Sequence, residues 1–239
     1  MDYKIKIGFE RNEYGTFPIA VDLKKHCHWL VVGPTGSGKS VFLSYILTQI
    51  LNLNDLKLYI ADFKGSKDFA GITPDYAEYE DVTGLFNQFY DTFCESKRSK
   101  NGKKIIMVID EYNSWIGSLD KKQSADIKQK VAQVLQQGRS LPDGGAAWLI
   151  CAMQRCDADN FTGGARDNFM VRIGLSNLSK ESKMMLGFSA DDIPSDYYKP
   201  QTGRGLIQTE GNNLKVFDVP KIEAERIQKL LQIKGNRKC

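Results

Sequence analysis

Residues 33–40 form a loop whose residue types and spacing suit the binding of a nucleoside triphosphate. The run reads Gly-Pro-Thr-Gly-Ser-Gly-Lys-Ser and matches G-x-x-x-x-G-K-[S/T] at every fixed position. Glycines let successive backbone N–H groups turn inward around phosphate oxygens, and a helix that begins here points its positive end at them. We therefore expect ATP to be bound by this loop and the next residue, that is by Gly33, Pro34, Thr35, Gly36, Ser37, Gly38, Lys39, Ser40 and Val41.

Two side chains of this loop have specific chemical tasks in such a site. The ammonium group of Lys39 would reach the β- and γ-phosphates, and the hydroxyl of Ser40 would be a ligand of Mg²⁺. A glycine-rich surface loop is the alternative interpretation. A buried-strand pattern before the loop and a helical pattern after it favour the phosphate site.

Asp110 and Glu111 follow the apolar run Ile105–Ile109 and form a second candidate group. Carboxylates at the carboxyl end of a parallel strand lie on the ligand-binding edge of the sheet. We expect Asp110 to hold Mg²⁺ and Glu111 to orient and deprotonate the water that attacks the γ-phosphate. The pair could instead merely open a loop. An adjacent base for water favours an ATPase over a small-molecule kinase.

Gln154 and Lys64 also follow predicted strands and are further candidates for this edge. Gln154 would sense the γ-phosphate from a neighbouring strand end, and a loop-capping amide is the alternative. Lys64 would meet the nucleotide or a neighbouring subunit, with a solvated lysine equally compatible with the sequence. His26 and His28 have no acidic partner at ligand spacing and are interpreted as structural.

Four arginines are candidates for a finger that completes the site of a neighbouring subunit, because an arginine on the developing charge accelerates phosphoryl transfer. A surface salt bridge is at least as good an explanation for each of them. The residue pattern alone does not choose among Arg139, Arg155, Arg166 and Arg172.

The elements that must position these residues follow from apolar periodicity. Strands alternate with helices, which indicates crossover connections and an α/β domain with a mostly parallel sheet flanked by helices. The predicted strands are 3–9, 18–21, 29–32, 56–61, 105–109, 147–152 and 171–175, with a hairpin of 205–208 and 214–219. The predicted helices begin at Ser40 or cover 83–96, 126–138 and 222–233. We expect one domain over 1–220 and a basic helix and tail over 221–239.

Composition restricts the class of protein. The chain has 239 residues, of which 41% are hydrophobic and 26% charged, an ordinary globular balance that argues against disorder or a fibrous repeat. No apolar run reaches membrane-spanning length and no secretion signal is evident, so a cytoplasmic location is expected. The five cysteines are scattered without metal-site spacing. The net charge of +4 is mild, but basic residues cluster at 97–104 and 221–238, where they could contact a phosphate backbone or simply be solvated.

These motifs, taken in order, resemble those of the FtsK/SpoIIIE DNA translocases and the wider FtsK/HerA type. Residues 28–40 resemble "PHLLVAG-TGSGKS", with Cys27 in place of a proline, and 7–23 resemble the "G-x-P-x-x-x-DL" lead-in. Residues 62–64 lie where that family has "DPK", 108–112 are similar to "VVDEF", and 138–140 and 152–155 are similar to "AR-x-x-G" and "ATQRP". Residues 162–173 resemble "TG-x-x-K-x-N-x-x-x-RI".

The resemblance implies a RecA-like core of the ASCE class of P-loop NTPases, which assembles as a homo-oligomeric ring, usually a hexamer, around double-stranded DNA and hydrolyses ATP between subunits. It favours Arg172, in the place of the "RI" arginine, as the interface arginine. The irregular run 140–145 and Cys156 in place of a proline depart from the family pattern. The membrane spans and the winged-helix domain of full-length cell-division translocases are not found in this sequence.

The expected function is therefore that of a minimal DNA-translocating ATPase, of the kind that serves transfer of plasmid, mobile-element or phage DNA, with a possible partner in a membrane or transfer machinery. One alternative is a protein-secretion motor of the type VII kind, which uses related modules. Another is a regulatory ATP-binding module without turnover, against which the intact Lys39, Asp110 and Glu111 argue.

Overall fold

The computed structural model describes residues 3–162, 164–194, 197, 202–221 and 224–235. Within them, ten strands form one mixed sheet. The strands are β1 Lys4–Asn12, β2 Gly15–Asp22, β3 Trp29–Val32, β4 Leu56–Asp62, β5 Tyr76–Glu78, β6 Lys104–Asp110, β7 Ala146–Met153, β8 Val171–Leu175, β9 Arg204–Thr209 and β10 Lys215–Asp218.

The strand order across the sheet is β2-β1-β10-β9-β8-β3-β7-β6-β4-β5. The six strands from β8 to β5 run parallel, and the four from β9 to β2 continue the sheet in antiparallel pairing. The predicted mostly parallel sheet and terminal hairpin are confirmed. β3 leads into the phosphate loop and β6 ends in Asp110, and β7 lies between these two strands. The carboxyl ends of all three strands lie at the same edge of the sheet.

Helices cover both faces of the sheet. They are α1 Lys39–Ile50, α2 Asp81–Ser99, α3 Tyr112–Ser118, α4 Lys121–Gln137, α5 Lys180–Met185 and α6 Ala224–Gly235. Alternate residues of β6 point into two separate apolar clusters, one packed on α2, α3 and α4 and the other on α1 and α6. Among the described residues, no helix combines the length and apolar character needed to cross a membrane.

Three short elements, β5, α3 and α5, were not predicted, because each is too brief to show a period. The helix predicted from residue 126 begins at Lys121 instead. Asp120 precedes it, and its carboxylate accepts a hydrogen bond of 2.8 Å from the backbone N–H of Gln123, which is an N-cap. The first turn of α4 is polar, so the pattern of apolar residues does not indicate where the helix begins.

The carboxyl-terminal helix is tied to the domain by Leu231. This side chain is fully buried in the cluster that also contains Phe42 and Ile46 of α1. The described helix covers Ala224–Gly235, whereas residues 222–223 and 236–239 of the predicted helix and tail lie outside the described residues. The segment predicted as a separate tail therefore contributes at least one side chain, that of Leu231, to the core of the domain.

His28 has a structural role at the amino end of β3, as predicted. Its ring is buried, and its Nδ1 accepts a hydrogen bond of 3.2 Å from the backbone N–H of Leu149 in β7. Burial lowers the pKa of His28 to about 3, so the imidazole is neutral at physiological pH. The side chain thus supplies an acceptor where the parallel pairing of β3 and β7 starts.

Candidate nucleotide site

The loop between β3 and α1 has the backbone that its glycines permit. Gly36 and Gly38 adopt left-handed φ angles of 79° and 88°, which favour glycine. A Cβ atom on Gly33 would lie 2.5 Å from the Oγ atom of Ser37, so a side chain is excluded there as well. Gly38 precedes α1 without a side-chain cap, which leaves the first N–H groups of the helix available to an anion.

Lys39 links this loop to the two predicted carboxylates. Its Nζ atom lies 2.6 Å from Asp110 Oδ1 and 2.7 Å from Glu111 Oε1. All three side chains are buried, with Lys39 7%, Asp110 1% and Glu111 4% exposed. The structure therefore brings together two motifs that are about seventy residues apart in the sequence.

The charges in this group do not balance, since two carboxylates share one ammonium. Burial raises the pKa of Asp110, although the neighbouring Lys39 opposes that shift. Among the described residues, Glu111 Oε2 and Ser37 Oγ have no hydrogen-bond partner despite their burial. A buried set of oxygen ligands with excess negative charge suits a divalent cation such as Mg²⁺, and the adjacent N–H groups of α1 suit phosphate.

Gln154 joins the loop to Glu111. Its Nε2 atom donates to Glu111 Oε1 at 3.1 Å, and its Oε1 atom accepts from the hydroxyl of Thr35 at 3.2 Å. Gln154 follows β7, the strand that separates β3 from β6. The amide is thus in contact with both sides of the site, where sequence reasoning expected a sensor.

A cavity of about 280 Å³ opens above these side chains. It is lined by Pro34, Thr35, Gly36, Gly38, Lys39, Ser40, Val41, Lys64, Asp110, Glu111, Gln154 and Thr202. Thr202 was not predicted. The next residue, Gly203, donates its N–H to the carbonyl of Ser37 at 3.3 Å, a contact between distant segments for which the sequence has no motif.

Asp62 holds the loop that carries Lys64 to the cavity. Its fully buried carboxylate accepts hydrogen bonds from the N–H groups of Gly65 and Lys67 at 3.0 and 3.1 Å, and from the hydroxyls of Ser66 and Tyr76 at 3.1 and 3.2 Å. The sequence marked Asp62 only as part of a motif. Its contacts show that it orders the loop after β4.

The residue after Glu111 is tied to a different segment. Glu111 has a left-handed φ of 60°, and the next side chain, Tyr112, is fully buried. The Tyr112 hydroxyl donates to the carbonyl of Asn160 at 3.1 Å, and its ring stacks on Phe161 with centroids 5.1 Å apart and planes 5° apart. Phe161 in turn packs edge-on against Phe169. None of these aromatic contacts was predicted.

Comparison with known proteins agrees with the motifs. Residues 3–84 match the model of the FtsK/SpoIIIE family. This part of the chain is similar to that family. The chain is 26% identical to the DNA translocase SpoIIIE of Bacillus subtilis over 264 aligned residues, a match that covers 91% of this chain and 32% of that protein. It spans less than half the length of the curated relatives it matches, 48% of one and 27% of another.

Two solved structures share the fold of this chain. The conjugation coupling protein TcpA of pCW3, solved with ATPγS, has a TM-score of 0.72 and 24% identity, covering 98% of this chain and 71% of that chain. The type VII secretion ATPase EccC of Thermomonospora curvata has a TM-score of 0.71 and 20% identity, covering 99% and 31%. The RecA-like P-loop fold that the FtsK/SpoIIIE resemblance implied is confirmed.

The four candidate arginines do not line the cavity among its described residues. Arg172 lies within β8, beside β3 rather than the loop, and donates to the carbonyl of Leu186 at 3.3 Å. Arg166 contacts the sulfur of Met185, Arg155 is exposed near Asp157, and Arg139 is exposed beyond the end of α4. An action on this subunit's own nucleotide is not supported for any of them, and Arg172 as an interface arginine stays a prediction.

Proposed function

We propose that this chain hydrolyses ATP and uses the energy to move double-stranded DNA. The observation that carries the proposal is the buried contact of Lys39 with Asp110 and Glu111 directly beside the phosphate loop. Few sites other than those for phosphoryl transfer need a lysine, two carboxylates and a helix amino terminus at one point. The FtsK/SpoIIIE family match over residues 3–84 supports the same function.

In this proposal each side chain has a defined task. Lys39 neutralises the β- and γ-phosphates, and Ser40 and Asp110 would hold Mg²⁺, whose charge offsets that of the phosphates. A triphosphate in the loop competes with Glu111 for the Lys39 ammonium. Once freed from that ion pair, the Glu111 carboxylate is available to accept the proton of the attacking water. Gln154, bonded to Glu111, would report the state of the site.

The substrate and the assembly are further parts of the proposal. The name of the relative SpoIIIE, a DNA translocase, supports duplex DNA as the substrate. We propose that the chain assembles into a homo-oligomeric ring, which we expect to be a hexamer. In this ring Arg172 would complete the site of the neighbouring subunit. We also propose a cytoplasmic location. Transfer of plasmid or other mobile DNA, with a partner in a transfer machinery, is the biological role we infer.

The test measures ATP hydrolysis with and without long duplex DNA. We expect DNA to stimulate hydrolysis, and Glu111→Gln to lose at least about 100-fold in turnover while it still binds ATP, because only the base is removed. Glu95→Gln is the matched control, because Glu95 is an exposed carboxylate of α2, away from the site, that pairs with Lys103. Near-normal turnover by Glu111→Gln would exclude its role as base.

The same assay separates the alternatives. The secretion ATPase EccC shares the fold, and a protein-secretion motor would hydrolyse ATP at a rate indifferent to added duplex. A regulatory module would bind ATP without turnover. Binding of neither ATP nor DNA would contradict the proposed function altogether.

A further inference from the structure

The loop after β4 brings a second lysine to the nucleotide cavity. Lys64 lines this cavity together with Asp110 and Glu111. Lys39, the other lysine of the lining, is engaged by both of these carboxylates. Among the described residues, the exposed ammonium group of Lys64 has neither an ion pair nor a hydrogen bond. It is therefore the cation of this cavity that is available to a ligand.

The register of the sheet places the loop beside the carboxylates. Asp62, the last residue of β4, pairs with Asp110, the last residue of β6, and the N–H of Phe63 donates to the carbonyl of Asp110 at 3.4 Å. β4 lies on the side of β6 away from β3, the strand that leads into the phosphate loop. For hydrolysis the terminal phosphate must face Glu111. That phosphate is therefore the part of the nucleotide that lies nearest to Lys64.

The backbone that carries Lys64 is held from two sides. The buried carboxylate of Asp62 accepts hydrogen bonds from the N–H groups of Gly65 and Lys67 at 3.0 and 3.1 Å. Gly65 has a left-handed φ of 64°, and a Cβ atom at this position would overlap the ring of Tyr79. The loop thus wraps around a carboxylate and packs against an aromatic ring, which fixes the point from which the Lys64 side chain extends.

The edge strand β5 supplies a further support for this loop. Its pairing with β4 aligns Glu78 with Asp62. The hydroxyl of Tyr76 donates to Glu78 Oε1 at 2.7 Å and to Asp62 Oδ2 at 3.2 Å. Burial and the two neighbouring carboxyl groups raise the pKa of Tyr76, so this hydroxyl keeps its proton at physiological pH. A donor shared by two carboxylates reduces their repulsion, and Tyr76 thereby stabilises the carboxylate around which the loop is built.

We propose that Lys64 binds the terminal phosphate of ATP and stabilises its negative charge during hydrolysis, and that Tyr76 positions Lys64 through Asp62. Lys64 is then a catalytic residue and Tyr76 a positioning residue. The inference rests on the proposed hydrolysis of ATP, but it adds a separate claim. It states that the rate depends on a hydroxyl of the edge strand β5, which lies outside the phosphate loop and the carboxylate pair.

The first measurement compares the binding of two probes, each with Mg²⁺, by titration calorimetry. AMP-PNP, a non-hydrolysable analogue of ATP, has the terminal phosphate, and ADP lacks it. We expect Lys64→Gln to weaken AMP-PNP binding at least about fivefold and to leave ADP binding unchanged, because only the terminal phosphate loses a contact. Lys67→Gln is the matched control, since Lys67 is an exposed lysine of the same loop that does not line the cavity.

The second measurement is the rate of ATP hydrolysis. We expect turnover to fall at least about tenfold in Lys64→Gln and about threefold or more in the isosteric variant Tyr76→Phe. The double variant should be no slower than Lys64→Gln, because the hydroxyl of Tyr76 acts only through Lys64. A purely structural role of Tyr76 would instead multiply the two losses.

The outcomes separate this inference from the proposed function. Unchanged AMP-PNP binding and turnover in Lys64→Gln would overturn the role of Lys64, as would an equal loss for both probes or the same loss in Lys67→Gln. Multiplied losses in the double variant would contradict the positioning role of Tyr76. A wild type that binds neither probe would contradict the nucleotide site itself. A wild type that binds both without hydrolysing ATP would contradict the proposed turnover, while the two probes still test the contact of Lys64 with the terminal phosphate.

Discussion

At the scale of single residues, buried titratable groups occur in two settings, one with charged partners and one without. Lys39, Asp110 and Glu111 are buried together, with one ammonium group against two carboxylates. His28 is buried without a charged partner and is neutral. Burial of ionised groups costs more free energy than burial of a neutral imidazole, and protonation of that imidazole inside the domain would add the larger cost. The first arrangement is therefore suited to chemistry, and the second to structure.

The His28 arrangement predicts a dependence of stability on pH. The folded state has a His28 pKa of about 3, below the usual 6.5, so the unfolded state binds more protons between these values. The free energy of unfolding contributed by this site is complete above pH 6.5 and is lost as the pH falls toward 3, by about 1.4 kcal/mol per pH unit. His28→Asn should remove that part of the dependence.

Urea unfolding of the wild type and His28→Asn between pH 4 and pH 7 measures the difference. Asparagine tolerates the left-handed φ of 58° at this position, so the variant should fold. Half-buried His26 is the control, and His26→Asn should show the same pH dependence as the wild type. A constant difference between His28→Asn and wild type across the range would contradict a buried neutral imidazole.

At the scale of elements, the parallel core could be predicted because its strands are continuous apolar runs and its helices have clear periods. The phosphate loop and the carboxylates of the site could also be predicted, because the glycines, Lys39 and the pair Asp110 and Glu111 occur directly after those strands. Asp62 was expected at this edge but its role in ordering the loop could not be predicted, and Thr202 and Tyr112 were not predicted at all. Their roles depend on tertiary hydrogen bonds and ring contacts between distant segments, which leave no local pattern.

The packing of α6 supports a prediction about the extent of the domain. Leu231 is fully buried against α1, the helix that begins at Lys39, whereas Ile233 on the same helix is 45% exposed. We expect Leu231→Ala to lower the free energy of unfolding by about 2–5 kcal/mol, and Ile233→Ala to change it by less than about 0.5 kcal/mol. Denaturant unfolding measures both. Equal, small effects would mean that α6 is an appendage, as the separate tail predicted from sequence implies.

At the scale of the whole molecule, the two ends of the parallel strands differ in chemistry. The phosphate loop, Asp110 and Glu111 lie at the carboxyl ends. The basic segment 97–104 lies at the amino ends, where α2 finishes and β6 begins at Lys104. Several of its charges are engaged locally, for example Lys97 with Gln137 and Lys103 with Glu95 at 3.7 Å. The segment therefore lies at the opposite edge of the sheet from the phosphate loop, and any phosphate backbone that it contacts lies at that edge.

The proposed ring predicts complementation between two inactive variants. Glu111→Gln lacks the base, and Arg172→Ala lacks the arginine offered to the neighbouring site. When equal amounts are mixed, roughly a quarter of the head-to-tail interfaces combine an intact Glu111 with an intact Arg172. We expect the mixture to regain hydrolysis that neither variant has alone, measured as phosphate release with DNA. Mixing Glu111→Gln with Lys39→Ala is the control, because both lesions lie on the same side of the interface and no interface can be complete.

The stacked pair Tyr112 and Phe161 gives the site a mechanical connection to the rest of the molecule. Glu111 and Tyr112 are consecutive, so one peptide bond joins the carboxylate that faces Lys39 to the ring that rests on Phe161. A change in the backbone between these two residues would therefore alter the contact of the Tyr112 ring with Phe161, which packs edge-on against Phe169. Contacts thus run without interruption from Lys39 through Glu111, Tyr112 and Phe161 to Phe169, and they join the nucleotide site to the segment between β7 and β8.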